Sequence, residues 1–341
     1  MPAIDCDVHC APESIEALAP YLSDYWRHYI EEAGIPLHGL VNAYPPGAPT
    51  TGSAPPSSYL ALKQGLLDEA EPSHVVLNCL TALEAHRNPY YAAALATAVN
   101  DWVADEFLDR DERLRASIAV SSVSPEDAVA EIERRGDDPR FVQVLLPVRS
   151  DIPWAHKNNH AIFATAAQRG LPIGLHAWGR PGSAPTPSGF TTTYLEQYVA
   201  NQAVAQAQLI SFVCEGVFER FPELRVVLIE CGFAWLAPLL WRFDKDWKGI
   251  WREVPWVKQR PSEYVYRHVR ASTAPTHVPA DEQTVGRLLE MIDAPAFLTF
   301  GSDYPHVHGP GPEALLEQLS PDGREAVLHG NAVALYGLTD C

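Results

Sequence analysis

Ala3-Ile4-Asp5-Cys6-Asp7-Val8-His9 is a short, largely apolar run that ends on an acid and an imidazole two residues apart. On an extended strand, residues i and i+2 point to the same face. If this strand opens a parallel barrel, Asp7 and His9 both enter the mouth and can grip one divalent metal. Three later strand-like runs also finish on ligand-type residues: Leu175-His176, Ile229-Glu230 and Ser302-Asp303. Four such strand ends point to a metalloenzyme more strongly than any lone triplet would.

Working outward, β-type runs recur at Ala3–Val8, His74–Asn78, Arg115–Val120, Phe141–Pro147, Leu171–His176, Arg225–Glu230, Val269–Thr273 and Phe297–Gly301. Several are almost continuous in Val, Leu and Ile, as strands covered on both faces require. The seventh has the weakest pattern. Amphipathic stretches fall between them: Ala92–Leu108, Pro125–Arg135 with Ser124 as N-cap, His160–Arg169 ending at Gly170, Trp235–Trp247 and Asp281–Ile292. Eight strands alternating with helices imply right-handed crossovers and a distorted TIM-type (β/α)8 barrel, α/β in class. The expected organisation is a single domain over residues 1–341 with lid-like insertions.

Two segments interrupt the rhythm. Residues 44–58 contain Pro45, Pro46, Pro49, Pro55 and Pro56. Residues 178–193 contain Gly179, Pro181, Gly182, Pro185, Pro187 and Gly189. Neither suits a regular helix or a central strand. Both are expected as loop insertions near the mouth, and the second could serve either as a lid or as a passive rim.

Composition narrows the function classes. Of 341 residues, 47% are hydrophobic and 20% charged, enough for a full core and too few charges for a disordered chain. Lys+Arg number 25 against 43 Asp+Glu, a net charge of −18. That balance argues against nucleic acid or an anionic membrane as the main partner, while leaving room for a locally positive site. The N-terminus lacks a secretory pattern, and no run approaches the ~18 apolar residues of a membrane span. The six cysteines, Cys6, Cys10, Cys79, Cys214, Cys231 and Cys341, form no CxxC pair. A reduced, cytoplasmic protein is the expectation. Cys6 and Cys10 read as packing thiols.

The strand-end residues suggest specific chemistry. His176 ends Leu171-Pro-Ile-Gly-Leu-His, and neutral imidazole is a preferred ligand of zinc and similar ions. Asp303 lies in Phe300-Gly-Ser-Asp-Tyr-Pro-His306, where it can bind a metal and exchange a proton, or simply shape a turn before Pro305. Glu230 is costly to bury as an anion without a partner. It therefore faces the pocket or meets a cation such as Arg242. In the pocket it could act as general base, proton donor or ligand.

In order, Asp7-x-His9, Leu-Pro-Ile-Gly-Leu-His176, Val-Leu-Ile-Glu230-Cys-Gly-Phe-Ala-Trp235, Phe-Gly-Ser-Asp303-Tyr-Pro-His306 and Gly330-Asn331-Ala332 together resemble the amidohydrolase superfamily. The branch they resemble is the amidohydrolase 2 branch. It holds aminocarboxymuconate-semialdehyde decarboxylase, the resorcylate-type decarboxylases and several lactone hydrolases. The resemblance spans nearly the whole chain. It implies one divalent metal, Zn or Mn, held by Asp7, His9, His176 and Asp303. No lysine ends the fourth strand, where Leu145-Leu146-Pro147-Val148 stands, so one metal fits better than two. Two departures stand out: Asp7 replaces the usual first histidine, and Glu230 replaces the histidine that often ends the sixth strand.

The resemblance implies a metal-dependent carboxy-lyase or hydrolase. Its first expected reaction is non-oxidative decarboxylation of an aromatic or unsaturated carboxylic acid, with Asp303 or Glu230 delivering the proton. The alternative is metal-dependent hydrolysis of an amide, lactone or related ring. A catalytically inactive ligand-binding barrel is the third reading. Trp178, Arg180, Tyr304 and His306, with His308 nearby, would receive a small-molecule carboxylate substrate. Trp235, Trp241, Trp247, Trp251 and Trp256 read as core or subunit-interface packing, and the resemblance leaves room for a homodimer.

Overall fold

The first strand, β1 (Ile4–Cys10), is buried along its full length. Val8 and Cys10 join the main core, while Ile4 and Cys6 join a smaller cluster with Val76, Val142 and Leu338. The register against the next strand shifts between Asp5 and Val8. A bulge of this kind bends a strand and re-aims its side chains.

The structure is a computed structural model that describes residues 2–33, 54–80, 86–179, 183–306 and 311–338. After β1 come β2 (His74–Cys79), β3 (Leu114–Ala119), β4 (Phe141–Arg149), β5 (Ile173–Gly179), β6 (Val226–Ile229), β7 (Val269–Ser272) and β8 (Leu298–Thr299). All pair in parallel, in sequence order. The ring is drawn together by Cys6 N donating to Phe300 O at 2.9 Å and His9 N donating to Tyr304 O at 2.8 Å. The eight strands and interleaved helices form a (β/α)8 barrel, as the alternating pattern implied. The weakest strand is the eighth, with 2 residues, rather than the seventh.

In β4, Val144, Leu146 and Val148 pack in the main core, while Leu145 joins an inner cluster with Trp178, Val227 and Ile229. This separation of alternate residues is the sheet's period of two. Helix Pro125–Arg135 starts at Ser124, whose side chain accepts from Asp127 N at 3.2 Å. Acids in its first turn and Arg134 and Arg135 in its last suit the helix dipole. Helix Pro89–Val103 and a π-type turn, Ala104–Leu108, cover the expected Ala92–Leu108 segment. The expected Trp235–Trp247 helix is observed as Leu236–Ile250.

Tyr194–Cys214 is a 21-residue helix that the hydrophobic pattern alone did not reveal. Its start carries a capping box: Thr193 accepts from Glu196 N, and Glu196 accepts from Thr193 N at 2.7 Å. Trp178 and Gly179 complete β5, so the insertion expected at 178–193 begins later than its proline and glycine content suggested. Residues 44–53 and 180–182 of the two insertions lie outside the described residues. Trp235 and Trp247 pack on the core, whereas Trp241, Trp251 and Trp256 are exposed. Among the described residues, no helix is long and apolar enough to cross a membrane.

Candidate active site

Asp7 and His9 reach the C-terminal end of β1, where barrel side chains converge on a mouth. Asp7 is tied on one side only. Asn78 Nδ2 donates to its Oδ1 at 2.9 Å, while Oδ2 is buried without a hydrogen-bond partner among the described residues. Asn78 is itself fixed: its Oδ1 accepts from Ser117 Oγ at 2.6 Å and from Gln143 Nε2 at 3.2 Å. Tyr336 donates to Gln143 Oε1 at 3.2 Å and ends the ladder. Strands two, three and four thus hold the carboxylate of strand one through neutral groups.

His9 Nε2 lies 2.8 Å from Asp303 Oδ1 and 2.9 Å from Glu230 Oε1. His176, from β5, places Nε2 3.1 Å from Glu230 Oε1 and 3.6 Å from Asp7 Oδ1. Among the described residues, neither ring nitrogen of His176 has an aligned hydrogen bond. Glu230 therefore faces the mouth, not Arg242, which pairs with Asp246 on the surface.

Glu230 and Asp303 both have left-handed backbones, with φ of 55° and 60°. This conformation is uncommon for residues other than glycine, and it recurs at functional sites. Each is held by its neighbours. Glu230 N donates to Ser272 Oγ at 3.0 Å. Asp303 N donates to Asp7 O at 2.9 Å, and Ser302 N donates to Asp5 Oδ1 at 2.9 Å. Burial pushes the Asp5 carboxyl up to about 7, against those hydrogen bonds.

Electrostatics bind the group together. Burial alone would depress both imidazoles. For His9 the hydrogen bonds to Asp303 and Glu230 prevail and hold it well above its ordinary value. For His176 the charges of Glu230 and Asp7 raise it to about 9. Burial pushes Asp7 up, and its contacts with both imidazoles only partly offset this. Burial and the charge of Asp303 oppose ionisation of Glu230, yet the two imidazoles hold it below the usual carboxylate range.

Two overlapping groups could hold a metal ion: Asp7, His9, His176 and Glu230, and His9, Glu230, Asp303 and His306. Within each group the ligand atoms lie within 4.8 Å of one another. The donors suit a divalent ion of intermediate hardness. The buried, unpartnered Asp7 Oδ2 and His176 nitrogens are the atoms such an ion would satisfy.

The surrounding residues are brought in unevenly. Trp178 is buried with its ring 5.2 Å from that of His176. His306 Nδ1 is 2.8 Å from Asp303 Oδ1, and its ring lies 4.8 Å from the His9 ring. Tyr304 shares the Asp303 loop, and its carbonyl accepts from His9 N. Arg180 and His308 lie outside the described residues. Cys6 and Cys10 are buried free thiols. Residue types alone gave no hint of Tyr194 and Tyr198, stacked at 6.2 Å. Burial, with an added contribution from the charge of Glu230, pushes both phenols up to about 12. The Thr193–Glu196 capping box was the available signal for the helix that carries them. Asn78, Ser117 and Gln143 were also missed; each is a polar residue inside a strand otherwise apolar enough to pass as core.

The fold and the sequence both have relatives. The barrel is similar to 2,6-dihydroxybenzoate decarboxylase from Rhizobium, with TM-score 0.69 and 19% identity over 99% of each chain. It is similar to dihydroxybenzoic acid decarboxylase from Polaromonas, solved with manganese and the inhibitor 2-nitroresorcinol, with TM-score 0.68 and 21% identity over 99% of this chain and 97% of that one. It is also similar to 5-carboxyvanillate decarboxylase from Sphingomonas paucimobilis, with TM-score 0.74 and 16% identity over 99% of each chain. No curated protein matches the sequence. A family model described as amidohydrolase matches residues 4–338. With nearly its whole length covered by that match, the chain belongs to the amidohydrolase family.

Proposed function

We propose that this enzyme is a divalent-metal-dependent carboxy-lyase that removes CO2 from an aromatic carboxylic acid without oxidation. The observation that carries the reading is the meeting of Asp7, His9, His176, Glu230 and Asp303 at four strand ends. The likeness in fold to a manganese-bound aromatic acid decarboxylase supports it. Asp7, His9 and His176 would hold manganese or zinc, with Glu230 and Asp303 completing the donor set. When bound, that ion supplies a Lewis-acid seat for the substrate carboxylate and a neighbouring oxygen.

The chain's own groups account for the rest. Asp303 carries a proton to the ring carbon that bears the carboxylate. The bond from that carbon to the carboxyl carbon then breaks, its electron pair restores the aromatic ring, and CO2 departs. His306, 2.8 Å from Asp303 and with 15% of its side chain exposed, returns a proton from solvent. Glu230, whose Oε1 lies 2.9 Å from His9 Nε2 and 3.1 Å from His176 Nε2, adds a negative charge beside the seat of the cation. Trp178 offers an apolar wall to a planar ring.

The test uses the metal-loaded enzyme with 2,6-dihydroxybenzoate and related hydroxybenzoates in D2O, then with lactone substrates in H218O. The proposal expects trapped CO2, one deuteron at the vacated ring carbon and loss of both after chelation. Solvent 18O in a ring-opened product, without CO2 release, would replace it with the hydrolase reading.

A further inference from the structure

Cys10 ends β1 and Cys79 ends β2, and the two are register partners across that strand pair. Partners on neighbouring strands stand about 4.8 Å apart at the backbone. A disulfide spans roughly 4.4–6.8 Å between Cα atoms. Both side chains join the main core, and Cys10 and Cys79 are 0% and 4% exposed. Their thiols are in hydrogen-bond contact, and that contact, followed by burial, raises Cys10 well above the ordinary thiol value. The other two buried thiols among the described residues are engaged elsewhere. Cys6 Sγ donates to Ile4 O at 3.8 Å, and Cys231 Sγ donates to Ile229 O at 3.3 Å.

The pair lies directly behind the candidate metal seat. One residue before each cysteine, on the opposite face of the sheet, stand His9 and Asn78, which are register partners of each other. Asn78 Nδ2 holds Asp7 Oδ1 at 2.9 Å, and His9 Nε2 meets Asp303 at 2.8 Å and Glu230 at 2.9 Å. Drawing the two sulfurs from contact to bonding distance pulls the strand ends together on one face and re-aims the side chains on the other.

We propose that Cys10 and Cys79 form an oxidation site: a hydroperoxide converts the pair to a disulfide, and the closed form holds the divalent ion less tightly. The steps balance. Cys79, the less enclosed of the two, takes one oxygen from the peroxide ROOH to become a sulfenic acid, and ROH is released. The Cys10 sulfur then attacks the Cys79 sulfur, the S–S bond forms, and the hydroxyl leaves with the Cys10 proton as water. Burial slows the first step. The second is aided by sulfurs already in contact. Only the effect on the ion rests on reading Asp7, His9 and His176 as metal ligands.

The test uses the full-length, zinc-loaded enzyme carrying Cys214→Ser and Cys341→Ser, which leaves Cys6, Cys10, Cys79 and Cys231. It is treated with hydrogen peroxide, denatured in an alkylating agent and mapped by mass spectrometry. The expected product is a Cys10–Cys79 linked peptide that dithiothreitol opens. Zinc affinity, read by competition with a chelating dye, should weaken about tenfold and recover on reduction. Cys79→Ala, with Cys79→Ser as the more conservative variant, should keep the unoxidised affinity and lose the reversible response to peroxide. Recovery of Cys10 and Cys79 as separate alkylated or separately oxidised residues would overturn the oxidation site. A link that leaves zinc affinity unchanged would overturn its coupling to the ion. A link formed in a chain that never binds a divalent metal would leave the dithiol pair standing and remove the metal reading instead.

Discussion

Two pairs of histidines, one at the mouth and one in the outer layer, are shifted in opposite directions. At the mouth, His9 and His176 sit among carboxylates and are held well above the ordinary imidazole value, His176 at about 9. In the outer layer, His160 faces the Ala155 carbonyl at 3.2 Å and His268 the Leu224 carbonyl at 2.9 Å. Burial holds both of these below the ordinary value, opposed chiefly by the hydrogen bond to a carbonyl. His268 also stacks on Phe218 at 4.6 Å. The same side chain thus sits among carboxylates in one place and serves as a packing ring in the other. Its partner, not its burial, decides which.

The comparison breaks most sharply at Asp303. Asp303→Asn keeps the shape but cannot carry the proton, so turnover should fall by roughly 10²–10⁴. Circular dichroism and the melting temperature should change little. A rate within a factor of a few of wild type would take Asp303 out of the chemistry.

A smaller effect is expected one step back from the mouth. Asn78→Leu removes the donor to Asp7 Oδ1 and frees that carboxylate to turn. Metal affinity, measured by competition with a chelating dye, should weaken by about 10–100-fold, the usual cost of losing a group that orients a ligand. Asn78→Asp should not restore it, because a second carboxylate would repel Asp7 where an amide donated. Unchanged affinity in both variants would reduce the Asn78–Ser117–Gln143 ladder to packing.

The smallest effect belongs to the outer layer. His268 has a folded-state value below its unfolded one. Protonation therefore favours the unfolded chain, and stability is full above about pH 6.5 and lost as acid protonates the ring. Between pH 7 and pH 5 the wild-type melting temperature should fall more than that of His268→Phe, by about 2 °C. Parallel curves would mean that His268 does not titrate on unfolding.

Much of this arrangement was legible in the residues. The apolar runs placed all eight strands to within a few positions, because buried parallel strands have no solvent face to blur the pattern. Asp7, His9, His176, Glu230 and Asp303 were visible as polar residues that stop an apolar run. The helix Tyr194–Cys214 was not, since its alanines, glutamines and tyrosines segregate weakly into faces and only its cap is distinctive. The ladder from Asn78 to Gln143 escaped for a different reason. Its members belong to three strands, and only the barrel's curvature brings them side by side.

Gly65, in the segment before β2, has no side chain where the hydroxyl of Tyr304 comes down; a methyl there would strike it. Tyr304 is the residue beside Asp303 in the chain. A position that bears no reactive atom thus abuts, through one phenol, the loop that carries Asp303. A methyl in place of its hydrogen would be felt first at that phenol.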